Sequence, residues 1–320
     1  MFDHALRETF GNFLAENGEK YKDIVVLDAD LSFSTRTSKF AKKFPRRFFN
    51  MGVAEQNMLG TALGFAILGK TPVVSGFSIF TTGRAWEFIR LACHDKLNVK
   101  IITTHGGFVG EDGSTHNALE DLSLMTTFPN LTVLIPADNI ELVKILEYAF
   151  KTEGPFYIRL PRNSFPIIHD DNYVFSLGKL DVIKDGDDIC LIGTGYGTFL
   201  GLNSAHMIED QLKISVKVIN LPSIKPIDKN QLITEIKNVK GIVVIEEHNI
   251  YCGFGSILAR LISENNPTPI RFVGVEDSFG QSGKRKTLLK AYGLNTKNVI
   301  KNVNNLLKTR KLSKNNENRE

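Results

Sequence analysis

LTVLIPADNIELVKILEYAFKTEGPFYIRLP, residues 131–161, reads as one strand–helix–strand unit. LTVLIPA (131–137) and FYIRLP (156–161) are short, nearly continuous apolar runs, the pattern of strands covered on both faces. Between them, NIELVKILEYAF (139–150) repeats its apolar residues every three or four positions, the period of a helix with one buried face. A helical connection of this length joins parallel strands. The unit therefore predicts an α/β fold built on mainly parallel sheets flanked by helices.

The same alternation continues in both directions. Strand-like runs recur at IVVLDAD (24–30), TPVVSGF (71–77), KIITTHG (100–106), DICLIGTG (188–195), VKVINLP (216–222), GIVVIEE (241–247) and IRFVGVE (270–276), and GSILARLISENN (255–266) is a second amphipathic helix. The pattern breaks at NSFPIIHDDNYVFSLGK (163–179), where Pro166, paired aspartates and Gly178 interrupt both periods. Two domains are expected, 1–172 and 173–309, in line with a length of 320 residues. A polar tail at 310–320 lacks any core face and is expected to be disordered.

Composition excludes several classes of function. The chain is 42% hydrophobic and 23% charged, ordinary values for a globular protein. It has no uncharged apolar run of about 18 residues, so no membrane span or membrane partner is expected. The opening MFDHALRETFGNF carries Asp3, Arg7 and Glu8 where a secretion signal needs an apolar stretch, which predicts a cytoplasmic location. The net charge of +4 is mostly a tail effect, because Lys308–Glu320 holds five Lys or Arg against two Glu. No basic stripe interleaved with aromatics appears, so a nucleic-acid partner is not expected. Cys93, Cys190 and Cys252 are odd in number and far apart, and predict reduced thiols rather than a metal site.

Ligands of parallel sheets bind beyond the carboxyl ends of the strands, which directs attention to the loops that follow them. DADLSFS (28–34) is either a strand exit with a helix cap or part of a site. In GVAEQNM (52–58), Glu55 lies in the first turn of a strongly apolar helix, where the dipole suits a carboxylate and apolar surroundings can perturb it. FSIF (77–80) places two aromatics three residues apart, as core or as a platform for a ring. HGGFVGEDGSTH (105–116) holds two histidines, two acids and four glycines, a poor core element and a good site. Arg159 and Arg162, in YIRLPRN, carry forked donors suited to a phosphate or carboxylate. GTGYG (193–197) lacks the third glycine of a dinucleotide fingerprint and its acidic ribose partner, so that reading is rejected.

In order and approximate spacing, GVAEQNM, FSIF, GEDGSTH, LPRN and VVIEEHNIYCGFGS resemble the second half of the thiamine-diphosphate (ThDP) enzymes of the transketolase family, up to about residue 310. The resemblance implies a pyrimidine-binding domain followed by a transketolase C-terminal domain. The Gly-Asp-Gly motif with which the family's first half holds Mg2+ and the diphosphate is not found. The chain thus looks like one subunit of a split transketolase, with no metal ligand of its own. An N-terminal partner subunit would hold Mg2+ and the diphosphate, in a heterotetramer. By the same resemblance, Glu55 bonds the aminopyrimidine ring and moves the proton that activates the cofactor, while Phe77 and Phe80 line that ring. Asp30 matches an aspartate near the cofactor at the subunit interface. Asp112 and His116 match the pair that recognises the donor hydroxyls, His116 also as a proton shuttle, and Ser34, His105 and Arg162 match contacts to the substrate phosphate. Ser114 and Asn117 stand where many transketolases have Pro and Gln, and Gly83 where some have a further aromatic.

The implied reaction moves a two-carbon ketol unit from a ketose phosphate to an aldose. Three alternatives stand beside it: an enzyme like deoxyxylulose-phosphate synthase, a 2-oxo acid dehydrogenase β-subunit, and a degenerate regulatory subunit without catalysis.

Overall fold

The computed structural model describes residues 5–317, with side chains as far as 308. Its strands are β1 (Ile24–Asp28), β2 (Phe48–Asn50), β3 (Thr71–Ser75), β4 (Lys100–Gly106), β5 (Thr132–Leu134), β6 (Phe156–Pro161), β7 (Asp181–Lys184), β8 (Ile189–Gly193), β9 (Val216–Asn220), β10 (Ser223–Lys225), β11 (Ile242–Asn249) and β12 (Ile270–Val275). They form a seven-stranded sheet in the order β10-β5-β6-β4-β3-β1-β2 and a five-stranded sheet in the order β12-β11-β8-β9-β7. Only the edge strands β10 and β7 run antiparallel. The mainly parallel α/β architecture expected from the sequence is the one observed.

Each of the nine apolar runs became a strand, because strands such as β1, β8 and β9 are buried at every position. The helix Asn139–Lys151 buries Leu142, Ile145, Leu146 and Ala149, one stripe at helical spacing. It starts where the Asp138 carboxylate accepts the Glu141 N–H at 2.9 Å. The helix Tyr196–Leu212 lies so close to β11 that a Cβ on Gly197 would fall 2.1 Å from the Ile245 carbonyl oxygen. The glycines of GTGYG therefore serve helix–sheet packing, in keeping with the rejected dinucleotide reading.

The two halves are fastened in three places. β10, from the second half of the sequence, pairs with β5 at the edge of the first sheet. One hydrophobic cluster joins Leu122, Val133 and Ile135 to Ile219, Leu221 and Phe254. The third fastening lies in the segment that breaks the sequence pattern. There His169 donates through Nδ1 to Asp138 at 2.8 Å and through Nε2 to Asp181 at 2.9 Å, reaching both halves at once. Burial opposes its charge, but hydrogen bonds to Asp138 and Asp181 outweigh it and raise its pKa to about 10.

At the carboxyl terminus the expectation of a disordered tail from 310 is corrected as far as Glu317. The last helix runs Thr296–Glu317. Val299, Val303 and Leu306 anchor its first turns in the core, each side chain contributing about 1.5–3 kcal/mol of burial. Once anchored, a helix extends by one hydrogen bond per added residue without a new nucleation cost. The remainder of that tail, 318–320, lies outside the described residues.

Candidate active site

Because β1, β3, β4 and β6 are parallel, their carboxyl ends share one edge of the sheet, and the loops leaving them meet there. Glu55 opens the helix Glu55–Ile67 on this edge and is only 4% exposed. Phe77 caps the next helix, Ser78–Arg84, and Phe80 follows within its first turn. Their rings stack at 6.2 Å between centroids, 22° from parallel. The Arg84 guanidinium reaches back over Phe80 (4.4 Å to the ring centroid), and its Nη1 donates to both Glu55 oxygens at 3.0 and 3.2 Å.

The end of β4 and the long loop after it bring in His105 and His116. His105 stacks on Phe77 at 3.8 Å, and His116 meets the edge of Phe80 at 5.1 Å. Burial pushes the His105 pKa down to about 3, and the charges of Arg7, Arg162 and His116 push in the same direction. Its imidazole is therefore neutral at physiological pH. Asp112 accepts from Arg162 Nη1 at 2.7 Å, and the same nitrogen donates to the Val109 carbonyl at 2.6 Å, bracing the loop from the end of β6.

That loop is also held from the second domain. The Phe108 N–H donates to Glu247 Oε1 at 2.8 Å, and Glu247 in turn pairs with Arg285. Ser282 Oγ donates to the Glu111 carbonyl at 2.8 Å. Gly107 is obligatory here: its φ is +80°, and a Cβ would lie 2.5 Å from the Glu247 carboxyl carbon. Beside the loop lies an open cavity of about 530 Å³, lined by Ile79, Ser114, Thr115, Asn117, Glu120 and Phe279.

Glu55, Phe77, Phe80, His105, His116, Asp112 and Arg162 thus lie on adjoining loops of one edge, linked through these contacts. Ser34 joins them through its carbonyl, which accepts from Arg7 Nη1 at 3.0 Å. Asp30 stands on the same edge, exposed, bonded to Asn50 Nδ2 at 2.8 Å, and among the described residues it enters none of the other contacts named. Arg159 has a different position from Arg162. It is buried, bonded to Asp121 at 2.7 Å and to the carbonyls of Ala118 and Glu247, so it ties the domains together and is not free for an anion.

Three side chains were missed by sequence reasoning. Arg7 sits on the first helix among the buried Leu6, Phe10 and Leu14, and its Nε is buried without a hydrogen-bond partner. Burial, then Arg36 and Arg162, lowers its pKa. Its charge and that of Arg162 both act on His105. A base on the apolar face of an opening helix was the available signal. Arg84 and Glu247 gave no such local sign.

These residues fit the ring half of ThDP: a buried carboxyl beside two aromatic faces gives one polar anchor and a flat apolar support. Among the described residues, no group of three His, Cys, Asp or Glu side chains is placed to hold a metal ion. Among the same residues, no helix is long and apolar enough to cross a membrane.

Fold and site together define a mainly parallel α/β chain that gathers Glu55, Phe77 and Phe80 at one sheet edge, with the loop after β4 supported from a second domain. The chain belongs to the transketolase family: the pyrimidine-binding domain of transketolase matches residues 3–167, and the transketolase C-terminal domain matches 178–299. A solved structure described as "Split gene transketolase, inactive beta4 tetramer" is 43% identical, with a TM-score of 0.86 over 95% of this chain and 98% of that one. The 6-deoxy-6-sulfo-D-fructose transketolase subunit SqwH of Clostridium sp. (strain MSTE9) is 34% identical over 301 residues, 93% of each chain. The 1-deoxy-D-xylulose-5-phosphate synthase of Halothermothrix orenii is 33% identical over 307 residues, which is 95% of this chain but 48% of that enzyme.

Proposed function

We propose that this chain is the pyrimidine-binding subunit of a split ThDP-dependent transketolase, which moves a two-carbon ketol unit from a ketose phosphate to an aldose. The observation that carries the reading is the buried Glu55 beside the Phe77–Phe80 pair, on the same edge as the His105–His116 loop. An N-terminal subunit completes the site by holding Mg2+ and the diphosphate, and the active particle is a heterotetramer of two chains of each kind. The likeness to a split-gene transketolase solved as an inactive β4 tetramer supports a division of labour of this sort. The setting is cytoplasmic carbohydrate metabolism.

Bound ThDP supplies a nucleophilic carbon and a sink for the electrons released on carbon–carbon cleavage. Glu55, shielded from water, holds and moves a proton at the aminopyrimidine ring nitrogen. Phe77 and Phe80 support the ring, and Asp30 faces the partner side of the seat. Asp112 and His116 orient the sugar hydroxyls, with His116 placed to shuttle protons near the ring. Arg7, Arg162, Ser34 and the neutral His105 hold the phosphate. An anion held there also eases the mutual repulsion of Arg7 and Arg162.

Glu55→Gln keeps the size of the side chain and removes the proton-carrying carboxyl. In a mixture with the partner subunit, ThDP and Mg2+, this variant should lose about 10²- to 10⁴-fold in ketol-transfer rate. Its circular dichroism spectrum should stay unchanged. Turnover at the parental rate would remove this chemistry from consideration.

A further inference from the structure

Arg84 plays no part in the reading above, yet it occupies the centre of the ring seat. It ends the helix Ser78–Arg84, one turn beyond Phe80, so its side chain folds back along the same helix face. The guanidinium carbon stands 4.4 Å from the centroid of the Phe80 ring. One edge nitrogen donates to both oxygens of Glu55, at 3.0 and 3.2 Å. A flat cation resting on an aromatic face, with an N–H directed at a buried carboxylate, has the shape, charge and donor pattern of a protonated aminopyrimidine. The guanidinium and the cofactor ring require the same carboxylate and the same aromatic face.

The two partners differ in their freedom to move. Glu55 is fixed at the start of its helix with 4% of its side chain exposed, whereas the Arg84 side chain is 51% exposed. Nothing lies within 4 Å of the Cβ position at the neighbouring Gly83, so the surroundings of Arg84 on that side are open. Left alone, the Glu55 carboxylate would be a buried charge without a partner, which is strongly unfavourable.

We propose that Arg84 is a placeholder in the cofactor seat: in the unloaded chain its guanidinium occupies the position of the aminopyrimidine ring, holds Glu55 and Phe80 in position, and is displaced when ThDP binds. This rests on the ThDP reading of the site. Two opposed effects follow. The ion pair steadies the unloaded chain, and breaking it opposes cofactor binding, as does the like charge of Arg84 beside a protonated aminopyrimidine ring.

The test compares the parent chain with Arg84→Ala and Arg84→Gln. ThDP and Mg2+ are titrated by calorimetry into each chain mixed with the partner subunit, and thermal unfolding is followed for each chain alone. Both variants should bind ThDP about tenfold more tightly than the parent, equivalent to about 1.4 kcal/mol, while unfolding at a lower temperature. A side chain with a merely structural role would lower both quantities together. Unchanged or weaker ThDP binding by both variants, alongside normal binding by the parent mixture, overturns the placeholder and leaves the ThDP reading standing. Failure of the parent mixture to bind ThDP would overturn the ThDP reading, and the placeholder with it.

Discussion

Arg7 and Arg162 carry like charges toward a buried, neutral His105, where the proposed function seats the substrate phosphate. The expected consequence is selective. Arg7→Ala and Arg162→Ala should each raise KM for phosphorylated donors by about 10- to 100-fold, one to two steps of 1.4 kcal/mol. Steady-state kinetics with a donor lacking the phosphate should show little change, and an unchanged KM for the phosphorylated donor would place the anion elsewhere. Glu55, Phe77 and Phe80 could be singled out in the sequence because each sits in a short motif with its helix or strand beside it. Arg7, Arg84 and Glu247 were not, because each works through a contact with a segment 27, 29 or 139 residues away. Chain order alone does not encode which of many arginines meets such a partner.

Strands buried on both faces announce themselves as apolar runs, which is why all nine expected strands are present. β2 and β7 are half exposed edge strands and β10 has three residues, so none of them produces such a run. The segment around 163–179 looked like a simple interruption because its order comes from polar contacts. His169 closes it, 3% exposed between Asp138 and Asp181, and Tyr173 adds a 2.6 Å bond to Glu141. The sign of its pH dependence follows from the raised pKa of about 10 against an ordinary value near 6.5. The stabilisation is complete below pH 6.5 and is lost as pH rises through about 10. His169→Gln should destabilise the chain by about 3–5 kcal/mol near neutrality, since it breaks a buried charged cluster. Chemical denaturation across pH 6.5 to 10 should show the gap between parent and variant closing. A gap that stays constant across that window would mean the imidazolium is not what fastens the linker.

Taken whole, the first sheet gathers on one edge the Glu55–Phe77–Phe80 cluster and the groups proposed to bind an anion, Arg7 and Arg162. The second domain contributes Glu247 and Ser282, which hold the loop bearing Asp112 and His116, so its presence is explained without chemistry of its own. The order of motifs made the family readable from sequence, because each motif is a local fact. The dependence of the substrate loop on the second domain was not readable, since it rests on packing between segments far apart in the chain. If the site is divided as proposed, this chain holds only the ring part of the cofactor. Calorimetric titration of ThDP and Mg2+ into this chain alone, and into its mixture with the N-terminal partner subunit, addresses that directly. Tight binding in the mixture and weak binding by the chain alone is the predicted result; equally tight binding by the isolated chain would contradict a site divided between two subunits.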